Sequence, residues 1–191
     1  MPIRPEKINK CLQYRCVVYH PTFFFKTEVF NKVGGYREEF IHAQDYDFLL
    51  RARSKNISIA NQPDYLLDYR IESKSSFVKD FNQSRFARLA LELDRERNKF
   101  GSESEKTFSQ VKKIEDISCY QYFVHKSFLN LTSLANKLKG SKRYIIRIFS
   151  ILIGILTREA RSEIFRDLMY YQVLQKSSNK FFDIFYLDKD E

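Results

Sequence analysis

Cysteine is scarce in this sequence, and the cysteines present do not suggest a cross-linked or metal-bound fold. The 191 residues include three cysteines, at positions 11, 16 and 119. An odd number cannot pair completely within one chain, and Cys11 and Cys16 are too few and too far from any histidine for a four-ligand zinc site. We therefore expect free, mostly buried thiols in a reducing compartment.

Long apolar runs are also missing. No apolar stretch of the kind found in secretory signals occurs at the N-terminus. The most apolar window, 144–156, contains Arg147 and has 13 residues, whereas a membrane-spanning helix takes about 20 apolar residues. Two interpretations stay open for this window: a helix buried in a helical bundle, or an interfacial helix with basic flanks on anionic lipid.

The apolar residues present are sufficient for a folded core. The sequence is 43% hydrophobic and includes 18 phenylalanines and 12 tyrosines, which argues against a disordered chain. A length of 191 residues suits one compact domain, or one domain with an appended region.

Positive charge is concentrated in one segment. The formal net charge is +9, and residues 137–161 contain seven basic residues and one acidic residue. Such a patch indicates a polyanionic neighbour: nucleic acid, an anionic membrane surface or a phosphate-bearing substrate. We predict no nucleic-acid partner, because the patch lacks a groove-reading or RNA-binding signature and the phenylalanines have core-like spacing.

The hydrophobic periodicity divides the chain into two regions, 1–76 and 77–191. The first region mixes turn signals with predicted strands at 15–19, 23–25, 57–60 and 65–71, and with helices at 27–33 and 45–53. Thr27 is the predicted N-cap of the first of these helices. The second region is helical throughout, with helices near 81–100, 144–156 and 162–175, and one long or two shorter helices over 108–138. We therefore predict an α+β fold with a mainly helical C-terminal half.

A D-Y-D motif at 45–47 opens a predicted helix and carries the candidate chemistry. Asp47 and Arg51 are i,i+4 neighbours, so Asp47 has a structural ion pair available on the surface. Asp45 shares the inward face with Phe48 and has no such partner. From spacing alone, Asp45 is either an N-cap or a general base. Carboxylates on two different helix faces do not converge, so the motif does not predict a metal site.

Motifs in a particular order around D-Y-D resemble the second half of the catalytic domain of family 2 glycosyltransferases. The order is His-Pro-Thr at 20–22, an aromatic run, a short helix ending in Gly-Gly-Tyr at 34–36, and Gln-Asp-x-Asp at 44–47 before an apolar helix. The resemblance covers about residues 10 to 76. It implies a partial GT-A-like α/β segment and a transferase that inverts the configuration of the sugar.

The resemblance also implies roles for individual residues. Asp45 matches the catalytic base that deprotonates the acceptor hydroxyl, with Asp47 as a supporting neighbour in the substrate site. His20 and Arg70 would lie near the donor diphosphate or the acceptor. The family is expected to use a divalent metal, Mg²⁺ or Mn²⁺, but the D-x-D motif that holds it has no counterpart here. Glu72 stands where many members have histidine, and a carboxylate there would repel a diphosphate.

The sequence therefore predicts transfer of a sugar from a nucleotide sugar to a saccharide or lipid-linked acceptor, in surface polysaccharide synthesis. The chain is expected to be truncated or split, with a companion chain that supplies the nucleotide-binding half. The expected location is the cytoplasm, peripherally at the inner face of the membrane, with residues 137–161 against anionic lipid. The alternative is a non-catalytic relic, or a module that binds a membrane or a partner.

Overall fold

The computed structural model of the protein describes residues 2–64, 66–68, 77–112, 119–156 and 158–175. The elements in these residues are eight α-helices and one 3₁₀ turn at His20–Thr22. In chain order the helices are α1 (Pro5–Cys11), α2 (Thr27–Val33), α3 (Gln44–Ser54), α4 (Phe77–Phe100), α5 (Glu105–Lys112), α6 (Cys119–Lys137), α7 (Ser141–Gly154) and α8 (Arg158–Gln175).

Helix α3 lies at the centre of the main core. Residues 46–52 are all buried, so neighbours cover every side of this helix. The core around it combines buried apolar side chains of four helices: Ile8 and Cys11 of α1, Tyr46, Leu49 and Leu50 of α3, Phe86, Leu89 and Leu93 of α4, and Val111 of α5. Burying a large apolar side chain contributes about 1.5–3 kcal/mol. This core therefore joins the two regions on either side of residue 76, and the predicted division there stays a prediction.

A smaller aromatic cluster covers the other side of α3. Phe48 of α3 stacks on Phe25 and Phe30, with ring centroids 5.3 and 6.0 Å away, and its ring lies 5.1 Å from that of Tyr36. Val33 and Ala52 complete the buried part of this cluster. Side chains of the phenylalanine-rich run at 23–25 therefore pack against helix α3.

The prediction of an α+β fold with a GT-A-like α/β segment is wrong, because every regular element among the described residues is helical. A strand needs a hydrogen-bonded neighbour, and the 3₁₀ turn interrupts the β-prone runs 15–19 and 23–25. The side-chain amide of Asn61 instead ties chain segments together by donating to the carbonyls of Pro2 and Val17 at 2.8 and 2.9 Å. The predicted strand 57–60 has no regular structure, and 65–71 lies mostly outside the described residues.

The predicted helices are confirmed with small shifts of their ends. Helix α2 has the predicted bounds, although Lys26 occupies the N-cap position and Thr27 is the first helical residue. The segment 108–138 falls into two elements, α5 and α6. Helix α1 was not predicted; Pro5 is its first residue, where the missing N–H costs nothing.

Helices α6 and α7 form a hairpin, and α8 packs against both. Against the other described residues, helix α7 packs along a narrow side, on which Ser150 and Gly154 are buried. Its apolar face is about half exposed over six residues: Ile145, Ile148, Phe149, Leu152, Ile155 and Leu156. The window 144–156 is thus a helix whose hydrophobic side is largely uncovered. Within the described ranges, no helix combines the length and hydropathy needed to cross a bilayer.

Gly154 provides a test of this packing. A Cβ added there would lie 2.7 Å from Ile164 Cδ1 and 2.9 Å from Phe128 Cδ2. Replacing glycine by alanine inside a helix normally stabilises by about 1 kcal/mol. We expect Gly154→Ala instead to lower the free energy of unfolding by about 1–2 kcal/mol, because overpacking outweighs helix propensity. The exposed Ser133→Ala is the control, and urea denaturation is the measurement. Equal or higher stability of Gly154→Ala would contradict the packing of α6, α7 and α8.

Candidate functional site

The connection between α2 and α3 starts with two glycines in the left-handed region. Gly34 ends α2 with φ of 91° and its N–H donates to the carbonyl oxygen of Phe30 at 3.0 Å. Gly35 has φ of 66°, and a Cβ there would lie 3.2 Å from the Phe30 ring. Only glycine adopts these angles without strain. The pair therefore turns the chain so that Tyr36 lies over the aromatic cluster.

Tyr36 makes a hydrogen bond with His20 of the 3₁₀ turn. The distance from His20 Nε2 to the Tyr36 hydroxyl is 3.1 Å. The His20 ring also packs edge-on against Phe23, with centroids 5.1 Å apart. Both partners are half-buried. The predicted substrate-binding residue His20 is thus held in a defined orientation, and its role in binding stays a prediction.

Asp45 lies in the first turn of α3, within electrostatic reach of Tyr36. It is half-buried, and its charge reaches two neighbouring groups. Burial, and then the Asp45 carboxylate, raise the pKa of the Tyr36 phenol. The same two causes raise the pKa of Cys16 to about 12, so this thiol is protonated at neutral pH and is a poor nucleophile there. Asp45, Tyr36, His20 and Cys16 form the candidate site.

Asp45 is not the N-cap of α3, so that interpretation is wrong. Ala43 occupies the cap position with φ of 55°, and no side chain caps this helix end. Asp45 lies in the first turn of the helix, two residues after this cap position. The side chain of Asp45 is half-buried, so solvent reaches it. Its role as a catalytic base stays a prediction.

Asp47 pairs with Arg51 as predicted, but its side chain is buried and does not lie on the surface. Arg51 Nε donates to Asp47 Oδ2 at 2.9 Å, which confirms the ion pair. The surface location is wrong, because the Asp47 side chain is fully buried and that of Arg51 is 5% exposed. Burial raises the pKa of the Asp47 carboxyl, while the nearby charges of Arg51 and Arg37 act in the opposite direction. A role of Asp47 in substrate binding stays a prediction.

The guanidinium of Arg51 also holds the turn that carries Tyr36. Its two terminal nitrogens donate to the carbonyl oxygens of Val33 at 2.9 Å and Gly35 at 2.7 Å. Arg37, next to Tyr36, lies 3.7 Å from Asp47 Oδ1. All three contacts converge on the α2–α3 connection. The buried pair therefore fixes the backbone from which Tyr36 projects toward His20.

A second ion-pair group anchors the same connection to α4. Arg37 donates to both carboxylate oxygens of Glu103, at 2.9 and 2.8 Å, and Arg97 of α4 pairs with the same carboxylate. Burial would raise the pKa of Glu103, but the hydrogen bonds from both arginines overcome it and lower the pKa. This contact joins residues that are 66 positions apart in the chain.

The remaining predicted residues are less informative. Arg70 and Glu72 lie outside the described residues. Tyr36 and Arg37 were not predicted as site residues, although Tyr36 belongs to the Gly-Gly-Tyr motif that the sequence contains. That motif, with its two glycines before an aromatic residue, was the available signal for Tyr36.

The described residues do not provide a site for a divalent metal. No group of three or more His, Cys, Asp or Glu side chains converges within them. Asp45 and Asp47 cannot act together, since the second carboxylate is buried and paired with Arg51. A metal needs several oxygen ligands at one point, so the expected Mg²⁺ or Mn²⁺ does not fit the D-Y-D motif.

The electrostatic reach of Asp45 can be tested on Cys16. Asp45→Asn removes a negative charge that disfavours the Cys16 thiolate, so the pKa of Cys16 falls and its alkylation at alkaline pH becomes several-fold faster. Mass spectrometry of the Cys16 peptide after timed exposure to iodoacetamide gives the rate. Glu38→Gln, which neutralises an exposed carboxylate nearby in the chain, serves as the control. Equal rates in all three proteins would place Asp45 too far from Cys16 and Tyr36 to share a site with them.

Comparison with known proteins gives one informative similarity. The chain is 42% identical over 73 residues to the O-antigen biosynthesis glycosyltransferase WbnJ of Escherichia coli. The matched segment is 37% of this chain, and the chain spans 28% of the length of that relative. No family profile matches the chain, and no solved structure matches it. The similarity supports the resemblance to glycosyltransferases, while membership of family 2 stays a prediction.

Proposed function

We propose that this chain is part of a glycosyltransferase that acts in the synthesis of a surface polysaccharide. The observation that carries the proposal is the 42% identity over 73 residues to an O-antigen glycosyltransferase. The donor is a nucleotide sugar, and the acceptor is a saccharide or a lipid-linked saccharide. The acceptor side of this reaction requires two groups: a hydroxyl on the acceptor, and a carboxylate that can take its proton.

In the proposed reaction, Asp45 is the general base of an inverting transfer. Its carboxylate takes the proton of the acceptor hydroxyl while that oxygen attacks the anomeric carbon. The new carbon–oxygen bond forms as the bond to the nucleotide diphosphate breaks, and the diphosphate leaves with the electron pair. One carboxylate suffices, since inversion is a single displacement. The position of Asp45 in the first turn of a buried helix supports this role, because α3 holds the base on a rigid element.

The neighbours of Asp45 position the substrate in this proposal. His20 and Tyr36 form a hydrogen-bonded pair, and Tyr36 is within electrostatic reach of Asp45. The polar atoms of the pair suit sugar hydroxyls. Asp47 acts as a positioning residue, because its contacts run through Arg51 to the carbonyls of the α2–α3 turn. Arg70 retains its proposed role near the diphosphate, for which the guanidinium fork is suited.

Binding of the nucleotide-sugar donor requires chemical groups other than those of the candidate site. A diphosphate leaving group requires metal or clustered cationic compensation, and the D-Y-D carboxylates do not supply a metal site. We propose that a companion polypeptide or another segment holds the nucleotide sugar and any Mg²⁺ or Mn²⁺.

The base assignment can be tested in the organism that encodes the chain. Membranes from a strain carrying Asp45→Asn should incorporate sugar from labelled nucleotide sugars about 10²–10⁴-fold more slowly, the usual contribution of a general base. Glu38→Gln should retain the normal rate. An unchanged rate in Asp45→Asn would refute the base, and unchanged incorporation in a strain lacking the chain would refute the transferase.

A second function is favoured by the surface of α7. Its half-exposed apolar face lies in a segment that contains most of the excess positive charge, with exposed Lys139 and Lys142 beside the start of the helix. Helices of this type bind at the surface of anionic membranes, with apolar side chains in the headgroup region and basic residues on the lipid phosphates. We propose that the chain works in the cytoplasm at the inner face of the membrane.

Vesicle co-sedimentation tests this surface. The double variant Ile148→Gln/Leu152→Gln should bind vesicles containing phosphatidylglycerol roughly tenfold or more weakly, because each side chain loses about 1.5–3 kcal/mol of apolar burial. The control Ile41→Gln/Leu66→Gln removes two other exposed apolar side chains and should bind normally. Wild-type binding should weaken in salt. Equal binding of both variants would show that α7 does not face the membrane.

A further inference from the structure

A cleft with an excess of basic side chains lies between α4 and α8, and we call it the α4–α8 cleft. It consists of two cavities, of about 290 and 630 Å³, that share Arg95 and Phe165 in their walls. The larger cavity extends to Gln13 and Tyr14 after α1. These volumes lie at the lower end of, or within, the range of small-molecule sites. None of these residues belongs to the candidate site around Asp45.

The spacing of side chains on α4 explains one wall of the cleft. Arg88, Glu92, Arg95 and Lys99 all line it. Their spacing of four, three and four residues places them on one face of a helix. Arg161 and Phe165, four residues apart, form the facing wall from the start of α8. Two helices thus direct basic side chains toward a shared space.

The charges that line the cleft do not cancel. Its walls contain five basic residues, Arg53, Arg88, Arg95, Lys99 and Arg161, and two acidic residues, Glu92 and Asp94. Both carboxylates already have partners: Glu92 accepts a hydrogen bond from Arg88 at 2.8 Å, and Asp94 pairs with Arg53.

Three of the cations have no ion-pair partner in the part of the chain that the structure describes. Among the described residues, no ion pair involves Arg95, Lys99 or Arg161. Arg161 donates to the carbonyl oxygen of Ile155 at 2.6 Å, and Lys99 lies over the Phe100 ring. Arg88 Nε is buried and has no acceptor within the described part of the chain. The cleft therefore presents unused donors and positive charge.

We propose that the α4–α8 cleft binds a phosphate group. Guanidinium groups donate paired hydrogen bonds that match the oxygens of phosphate, and these charge-assisted bonds are stronger than neutral ones. Arg95, at the junction of the two cavities, contacts the phosphate together with Arg161 from one side and Lys99 from the other. Ser162, Asn98 and Gln13, which also line the cleft, add neutral donors.

The position of the cleft makes it a site separate from the candidate base. Arg53, in its wall, follows Asp45 by eight residues on α3, which is about 12 Å along the helix axis. The cleft opens beside the end of α7, since Arg161 bonds to Ile155, and the exposed side chains of Leu156 and Phe165 are close by. The phosphate is therefore carried either by a free ligand or by the headgroup of a lipid.

Calorimetric titration of the full chain with inorganic pyrophosphate at low ionic strength tests the site. We expect saturable binding with one site per chain, and at least roughly tenfold weaker binding in Arg95→Gln/Arg161→Gln, since that variant removes two charge-assisted hydrogen bonds to the phosphate. Lys26→Gln/Lys32→Gln removes the same charge from two exposed positions on or beside α2 and should bind normally. The single variant Lys99→Gln, at an exposed position, provides a second measurement that does not depend on the folding of the double variant.

Two results would overturn the proposal: absence of saturable pyrophosphate binding by the wild type, or equal weakening in the cleft variant and the α2 control. The second result would mean that net charge alone attracts the anion. Vesicles of phosphatidylcholine with and without phosphatidic acid then identify the source of the phosphate. If the cleft variant also loses binding to phosphatidic acid, the site takes a lipid headgroup. If it keeps that binding while losing pyrophosphate, the site takes a free phosphate.

Discussion

The buried ion pair between Asp47 and Arg51 is the interaction on which the candidate site depends. Arg51 uses one nitrogen for the carboxylate and the other two for carbonyl groups of the α2–α3 turn. This turn places Tyr36 against His20. Removing one partner of a buried pair typically costs about 3–5 kcal/mol, because the other charge is left uncompensated. The pair therefore connects the stability of α3 to the geometry around Asp45.

The same pair divides the two carboxylates of the D-Y-D motif between different tasks. Asp47 is fully buried, and its charge meets those of Arg51 and Arg37. Asp45 remains half-buried, and its charge acts on Tyr36 and Cys16. A carboxylate that keeps access to solvent suits proton transfer better than one enclosed by arginines. The motif thus has one carboxylate that supports the site and one that is available for chemistry.

The helical half adds a surface with two complementary properties. Helix α7 exposes apolar side chains, and the neighbouring α4–α8 cleft gathers cations that form no ion pair with other described residues. Both features lie at the same end of α8, where Arg161 contacts the last turn of α7. A surface with this combination suits amphiphilic ligands, because one part of the ligand meets apolar side chains and the other meets arginine. The proposed work on lipid-linked acceptors is consistent with that chemistry.

The sequence by itself determined every described helix except α1, since helices depend on local patterns such as 3.6-residue periodicity and glycine after a helix. Motif order singled out Asp45 as the candidate base, a role that stays a prediction. The Asp47–Arg51 pair was equally local, because i,i+4 spacing makes it. Only the tertiary structure decided which carboxylate is buried, since Asp47 meets Arg51 and also Arg37, which Glu103 holds from far along the chain. It also decided that the aromatic runs 15–19 and 23–25 are not strands, because a strand requires a partner that no single segment reveals.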